Sequence, residues 1–279
     1  MSDHVKQLLS LVHDAGRIAL RLMDDIHPEL KADTSVITEA DRAISALAQQ
    51  RLKALIATGQ HVLIDEEDPR KSDYFDEAFL DRTPYVWSID PIDGTRVYAN
   101  HMPHYGVSIG LIKERKPYLG AVYFPTLKEL FYCDGVNAYL VKNAFCWNAE
   151  RMLIKPVDEQ LSSRSVFILS DEMGEDFAWR SSDCRYLVLS SAVTEFCWPA
   201  AGRACGSLSR VHLWDFAGSW PIVEKAGLKF RNVKTGQPLD RLEISAFQRT
   251  PPWKLKDYYI LSSERNYPLL RQRLSFSGE

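Results

Sequence analysis

Apolar residues recur at helical spacing from the start of the chain: Val5, Leu8, Leu9, Val12, Ala15, Ala19, Leu22, Met23 and Ile26 fall on one face. The pattern predicts an amphipathic helix ending near His27-Pro28, where proline halts it. A second helix is predicted over residues 40–57, with Ile44, Leu47, Ala48, Leu52, Leu55 and Ile56 on its inner face. Thr38 reads as its N-cap and Asp41 as its third residue. The pattern then shortens. Residues 107–112, 118–124, 129–133 and 138–141 are apolar runs separated by Lys113-Glu114-Arg115-Lys116-Pro117, by Pro125 and by Gly135, which predicts an antiparallel meander. After about residue 145, strands are predicted at 166–169, 186–189 and 258–261, and helices at 191–204 and 216–226. Pro199 and Pro221 fall inside those two helices, where each would remove a backbone hydrogen bond.

Composition narrows the class. At 279 residues the chain exceeds the usual size of one compact core, so two subdomains are expected, 1–145 and 146–279. Hydrophobic content of 46% and charged content of 25% are those of a soluble globular protein. A net charge of −3 argues against binding a nucleic-acid polymer. No window of about 20 apolar residues exists and the N-terminus lacks a signal-like core, so no membrane span and a cytoplasmic location are expected. The five cysteines are odd in number and widely spaced, as reduced thiols are. The histidines form no H-x-x-x-H pair, which argues against zinc.

The chemistry concentrates in three acidic segments. In Trp87-Ser88-Ile89-Asp90-Pro91-Ile92-Asp93-Gly94-Thr95, an apolar run delivers two carboxylates to a turn stiffened by Pro91. Hard oxygen ligands on such a corner suit Mg²⁺, and backbone N–H groups at Gly94 and Thr95 suit a phosphate. Asp65-Glu66-Glu67-Asp68 follows the apolar run His61-Val62-Leu63-Ile64; it is a solvated loop or a cation site, and for Asp68 the loop reading is preferred. Asp215, between Trp214 and Phe216-Ala217-Gly218, can cap a helix with one oxygen and bind a cation with the other.

Together, residues 65–67, 87–95 and 214–218 resemble the signature blocks of the inositol monophosphatase superfamily of Mg²⁺-dependent, lithium-sensitive phosphatases. Val36-Ile37-Thr38-Glu39-Ala40-Asp41, Val107-Ser108-Ile109-Gly110 and Gly120-Ala121-Val122-Tyr123 fit the same order. The resemblance implies a layered αβαβα sandwich (α+β and α/β halves), with an antiparallel sheet in the N-terminal half and a mixed sheet in the C-terminal half. Residues 1–145 would carry most metal ligands, and 146–279 would contribute Asp215 and substrate contacts. It implies two or three Mg²⁺ ions on Glu66, Asp90, the Ile92 carbonyl, Asp93 and Asp215, with Glu67 either assisting or merely superficial. It implies that Thr95, paired with Asp41, orients the attacking water beside Glu66, and that Lys31 contacts phosphate or a bound water. A plain capping role for Asp41 and a surface role for Lys31 stand beside those assignments. The implied partner is a small phosphorylated metabolite, and a homodimer is suggested. A non-catalytic relative that binds metal and phosphometabolite is the alternative from another class.

Three departures from the family pattern bear on substrate. Asp65 stands where glycine usually precedes the Glu-Glu pair. Arg96 follows Gly94-Thr95. Ser207-Leu208-Ser209-Arg210 lacks the acid that usually binds ring hydroxyls, and Arg210 suits an anion better than a neutral polyol. A substrate with a second anionic group, such as adenosine 3′,5′-bisphosphate or fructose 1,6-bisphosphate, is therefore expected rather than inositol 1-phosphate, and histidinol phosphate is a further alternative substrate class.

Overall fold

The computed structural model describes residues 2–31, 34–158, 160–171, 177–181 and 184–276. Helix α1 (Asp3–Leu22) begins where the Ser2 hydroxyl accepts from the Val5 N–H at 3.4 Å. It stops at Leu22, short of the expected Ile26, because Asp24-Asp25 are poor helix formers and Pro28 disfavours helix before it. The short pair β1 (Glu29–Leu30) and β2 (Val36–Ile37) leads into α2 (Glu39–Ile56). There follow β3 (His61–Asp65), α3 (Glu77–Arg82), β4 (Tyr85–Asp93) and α4 (Thr95–Ala99). The meander is β5 (Gly106–Lys113), β6 (Lys116–Phe124), β7 (Glu129–Cys133), β8 (Ala138–Lys142) and β9 (Glu150–Leu153).

Strands β3 to β9 form one seven-stranded sheet in sequence order. It is antiparallel except at β3–β4, which run parallel because the connection through α3 crosses over. The sheet extends to Leu153, the end of β9. Alternation along β5 sends Val107, Ile109 and Leu111 into the core under α1 and α2, while Ser108 faces the other way and donates to the Trp214 carbonyl at 3.2 Å.

The second half comprises β10 (Val166–Leu169), β11 (Phe177–Trp179), β12 (Arg185–Val188), α5 (Ala192–Ala200), β13 (Gly206–Ser209), α6 (Leu213–Ala217) and α7 (Trp220–Lys225). It closes with β14 (Leu228–Asn232), β15 (Phe247–Arg249), β16 (Pro252–Leu255), β17 (Tyr259–Ser263), α8 (Tyr267–Gln272) and β18 (Leu274–Phe276). Its mixed five-stranded sheet has the order β12-β10-β13-β17-β14, with β10 parallel to both neighbours and β17 antiparallel to both of its own. Helices α5, α6 and α7 fill the space between the two sheets, and α8 packs outside the second. The result is the αβαβα sandwich. No described helix is long and apolar enough to cross a membrane.

The helix expected over 216–226 is two helices with a break at Gly218-Ser219. Pro221 therefore lies in the first turn of α7, where its missing N–H costs nothing. Pro199 does lie within α5, close to its end. The turn between α6 and α7 presses on β6 at Gly120, where any Cβ would run into the Gly218 carbonyl oxygen.

Candidate active site

A regular strand would send Asp90 and Asp93 to opposite faces, since side chains alternate. The register against β5 shifts between them, with Asp90 opposite Ser108 and Asp93 opposite Gly106. This bulge turns Ile92 into the core under α1 and α2 and leaves both aspartates on the side facing α5 and α6. Pro91, which lacks an N–H, fits a bulge. Gly94 then reverses the chain at φ 78°, and a Cβ there would come within 3.0 Å of the Ser191 Cβ.

The third aspartate arrives from the other half. Asp215 is not the first cap of α6, as expected, but its third residue: its Oδ2 accepts from the His212 N–H at 2.7 Å. Leu213 already carries helical geometry, so the cap moves upstream to His212. One oxygen each of Asp90, Asp93 and Asp215 lie within 4.8 Å of one another. Asp93 Oδ1 accepts from the Ser191 hydroxyl at 2.6 Å and the Val193 N–H at 3.1 Å, both at the start of α5. Burial, then the charge of Asp215, pushes Asp93 up to about 8 despite those two bonds. Burial, then Glu66, Asp93 and Asp215, holds Asp90 well above the carboxylate range. Asp90 Oδ1 is buried without a hydrogen-bond partner. A cluster of carboxylates this costly to charge, with an unmatched buried oxygen, fits a hard divalent cation.

The cleft above them has a volume of about 270 Å³ and is lined by Glu66, Ile92, Gly94, Thr95, Arg96 and Arg210 beside the three aspartates. The Thr95 hydroxyl donates to the Ile92 carbonyl at 3.0 Å, leaving that oxygen a second lone pair. The expected Thr95–Asp41 pair is not formed. Asp41 Oδ2 accepts from the N–H and hydroxyl of Thr38, at 2.7 and 2.6 Å, which closes the first turn of α2. Asp41 is fully buried, and burial pushes it up to about 7. Its position raises the negative potential at Asp90 without lining the cleft. Lys31 pairs with Glu66 at 3.0 Å and with Glu67 at 2.7 Å, so its one positive charge is shared between the two carboxylates and offsets half of theirs. Lys71 donates to the Glu66 carbonyl. Asp68 caps the short helical turn after it by accepting from the Arg70 N–H at 2.9 Å, with its side chain nearly buried against the Arg70 guanidinium.

Asp65 points away from the cleft. It is fully buried, accepts from the Ser45 hydroxyl at 2.5 Å and takes the Glu67 N–H at 3.0 Å. Its extra carboxylate thus fixes the turn that presents Glu66 and ties it to α2.

Arg96 is largely exposed, 4.0 Å from Asp171, and the Arg210 guanidinium lies 4.7 Å over the Tyr258 ring. Asp171, Ser191 and Glu195 also line the cleft and are absent from the sequence-based set. Ser191 and Glu195 sit in a run that reads as plain apolar helix. Their spacing of four residues on one helix face was the signal available.

Comparison with known proteins identifies the family and the fold. The model of the inositol monophosphatase family matches residues 3–272. Inositol monophosphatase 1 of Solanum lycopersicum is 31% identical, over 80% of this chain and 83% of its own. The 3′(2′),5′-bisphosphate nucleotidase CysQ of Salmonella typhimurium is 26% identical, over 87% of this chain and 96% of its own. A solved IMPase of Thermotoga maritima superposes with a TM-score of 0.72 at 20% identity, covering 97% of this chain and 96% of that one.

Proposed function

The chain belongs to the inositol monophosphatase family and is a phosphoric monoester hydrolase, and from that premise we propose that it cleaves a small phosphorylated metabolite with the help of Mg²⁺ at the three-aspartate cluster. The observation that carries this reading is the convergence of Asp90, Asp93 and Asp215 at the floor of an open cleft, with Asp90 Oδ1 unmatched.

In this reading Asp90, Asp93, Asp215, Glu66 and the Ile92 carbonyl hold the cation. Mg²⁺ bound there would neutralise phosphate charge and acidify water, effects worth several kcal/mol each. The residues of the chain do the rest. The N–H groups of Gly94 and Thr95 lie at the start of α4, on residues that line the cleft, and suit phosphate oxygens. The Thr95 hydroxyl, which donates to the Ile92 carbonyl, would orient a water toward phosphorus. Glu66 accepts that water's proton once Lys31 gives up the carboxylate. Asp41 acts at one remove, by fixing the start of α2.

The substrate is proposed as a monophosphate ester of an alcohol with polar groups. Arg96 and Arg210 in the cleft favour the second reading, a substrate with two anionic groups. Asp171 beside Arg96 and Glu195 nearby weigh against it. The test is phosphate release from inositol 1-phosphate, histidinol phosphate, fructose 1,6-bisphosphate and adenosine 3′,5′-bisphosphate by chelator-stripped protein, before and after Mg²⁺. Activity that appears with Mg²⁺ is expected; full activity after rigorous chelation would overturn the metal role.

A further inference from the structure

The cleft has an acidic feature apart from the aspartate cluster. Glu195 stands on α5, one turn beyond Ser191, and lines the cleft beside Asp171 and Arg210. The residue is 3% exposed. The neighbouring strand holds it: the Ser209 hydroxyl, at the end of β13, donates to Oε2 at 2.5 Å. No donor among the described residues reaches Oε1, and that oxygen is not sealed from the cleft. Glu195 is also outside the set of oxygens that converge as a cation site. A buried carboxylate fixed by one oxygen, with the other open to a ligand cleft, has its desolvation offset only when something donates to it.

We propose that Glu195 recognises the leaving group, its Oε1 accepting a hydrogen bond from a hydroxyl or an ammonium on the alcohol half of the ester. The inference rests on the phosphate-ester reading and names what the rest of the substrate carries. Strand β13 itself bears no acid between Ser207 and Arg210; the carboxylate enters from α5 and Ser209 of β13 orients it. The surrounding charges fit this choice. Arg96 is 4.0 Å from Asp171, and Arg210 is stacked on Tyr258, so a second phosphate in this region would meet Glu195 and Asp171 as well as the guanidiniums.

The experiment compares kcat/KM for myo-inositol 1-phosphate and histidinol phosphate with that for phenyl phosphate, whose leaving group offers no such donor when bound as the ester. Each ratio is measured in wild type, Glu195→Ala, Glu195→Gln and Ser209→Ala with saturating Mg²⁺. Glu195→Ala is expected to lower the ratio for the preferred donor-bearing ester by roughly ten- to hundredfold, the scale of one hydrogen bond to a charged group. Ser209→Ala is expected to lower it in the same direction by less, and serves where Glu195→Ala does not fold. Glu195→Gln separates the two donors. Its amide can turn the carbonyl to the cleft, because the Ser209 hydroxyl accepts as readily as it donates. A hydroxyl substrate then keeps most of its ratio, and an ammonium substrate loses it as in Glu195→Ala. Unchanged ratios in all three variants of an active enzyme would overturn this inference alone. A wild type that hydrolyses no ester with Mg²⁺ would overturn the hydrolase reading, and this inference with it.

Discussion

Asp93 and Asp215 each use one oxygen to finish a helix start and leave the other for the cleft. Asparagine can keep the first task, because its carbonyl accepts the same N–H, but it removes the ligand charge. Asp93→Asn and Asp215→Asn are therefore expected to lower kcat by more than about a hundredfold at saturating Mg²⁺, since Lewis-acid stabilisation is worth several kcal/mol. They should not unfold the protein. Asp93 is raised to about 8 by burial and by Asp215, so its charge is a burden without metal. Metal-free Asp93→Asn should melt no lower than wild type. A near-normal kcat, or a collapse in melting temperature, would show that the residue works differently. Gly94 makes a complementary case. Its φ of 78° is a backbone conformation that L side chains rarely adopt, and a Cβ there would sit a tight 3.0 Å from the Ser191 Cβ. Gly94→Ala is expected to cost about 1–2 kcal/mol in urea unfolding, the price of a left-handed backbone for an L-residue.

At the scale of elements, the turn bearing Glu66 depends on a helix distant in sequence. Asp65, at the end of β3, is bolted to α2 by the Ser45 hydroxyl at 2.5 Å. Ser45→Ala leaves a buried carboxylate oxygen without its donor, which is expected to destabilise by about 1–3 kcal/mol. It should also raise the Mg²⁺ concentration needed for half-maximal activity, because Glu66 is presented by the same turn. Unchanged urea unfolding and Mg²⁺ dependence would make Asp65 a passive replacement for glycine. The sequence disclosed β7 and β10 to the residue, and α2 to within one, because periods of 2 and 3.6 dominate where one face is buried. It did not disclose β1, β2, β11 or β18, which are two or three residues long and carry no period. The break between α6 and α7 was hidden because Phe216 to Ile222 is almost all buried, so burial masks the turn. The site followed the same division. Local motifs disclosed Asp90, Asp93 and Asp215, whereas Glu195 and the Asp65–Ser45 bond depend on which helix packs where.

At the scale of the whole molecule, the aspartate cluster joins the two halves: Asp90 and Asp93 end a strand of the first sheet, and Asp215 belongs to a helix lying between the sheets. Without metal, folding brings these carboxylates together and buries them. Asp93 is raised to about 8 and Asp41 to about 7, with burial the larger cause for each. A carboxyl group whose folded pKa lies above its unfolded value binds more protons when folded. Its stabilising contribution is complete below the unfolded pKa and is lost as pH rises through the folded one. The metal-free protein is therefore expected to lose stability between about pH 5 and about pH 8.5, each retained proton contributing a slope of up to about 1.4 kcal/mol per pH unit. Mg²⁺ competes with those protons and favours the charged cluster, so the rise in melting temperature on adding Mg²⁺ should be larger at high pH than at low pH. Asp93→Asn isolates the cause, because it deletes the cluster carboxylate that burial and Asp215 raise to about 8, and should flatten both trends. Thermal melts across that range, with chelator or with Mg²⁺, for wild type and Asp93→Asn, test the point. A metal-free stability that holds level or climbs with pH, or a Mg²⁺ effect independent of pH, would mean that the three aspartates are not the charge that divides the two halves.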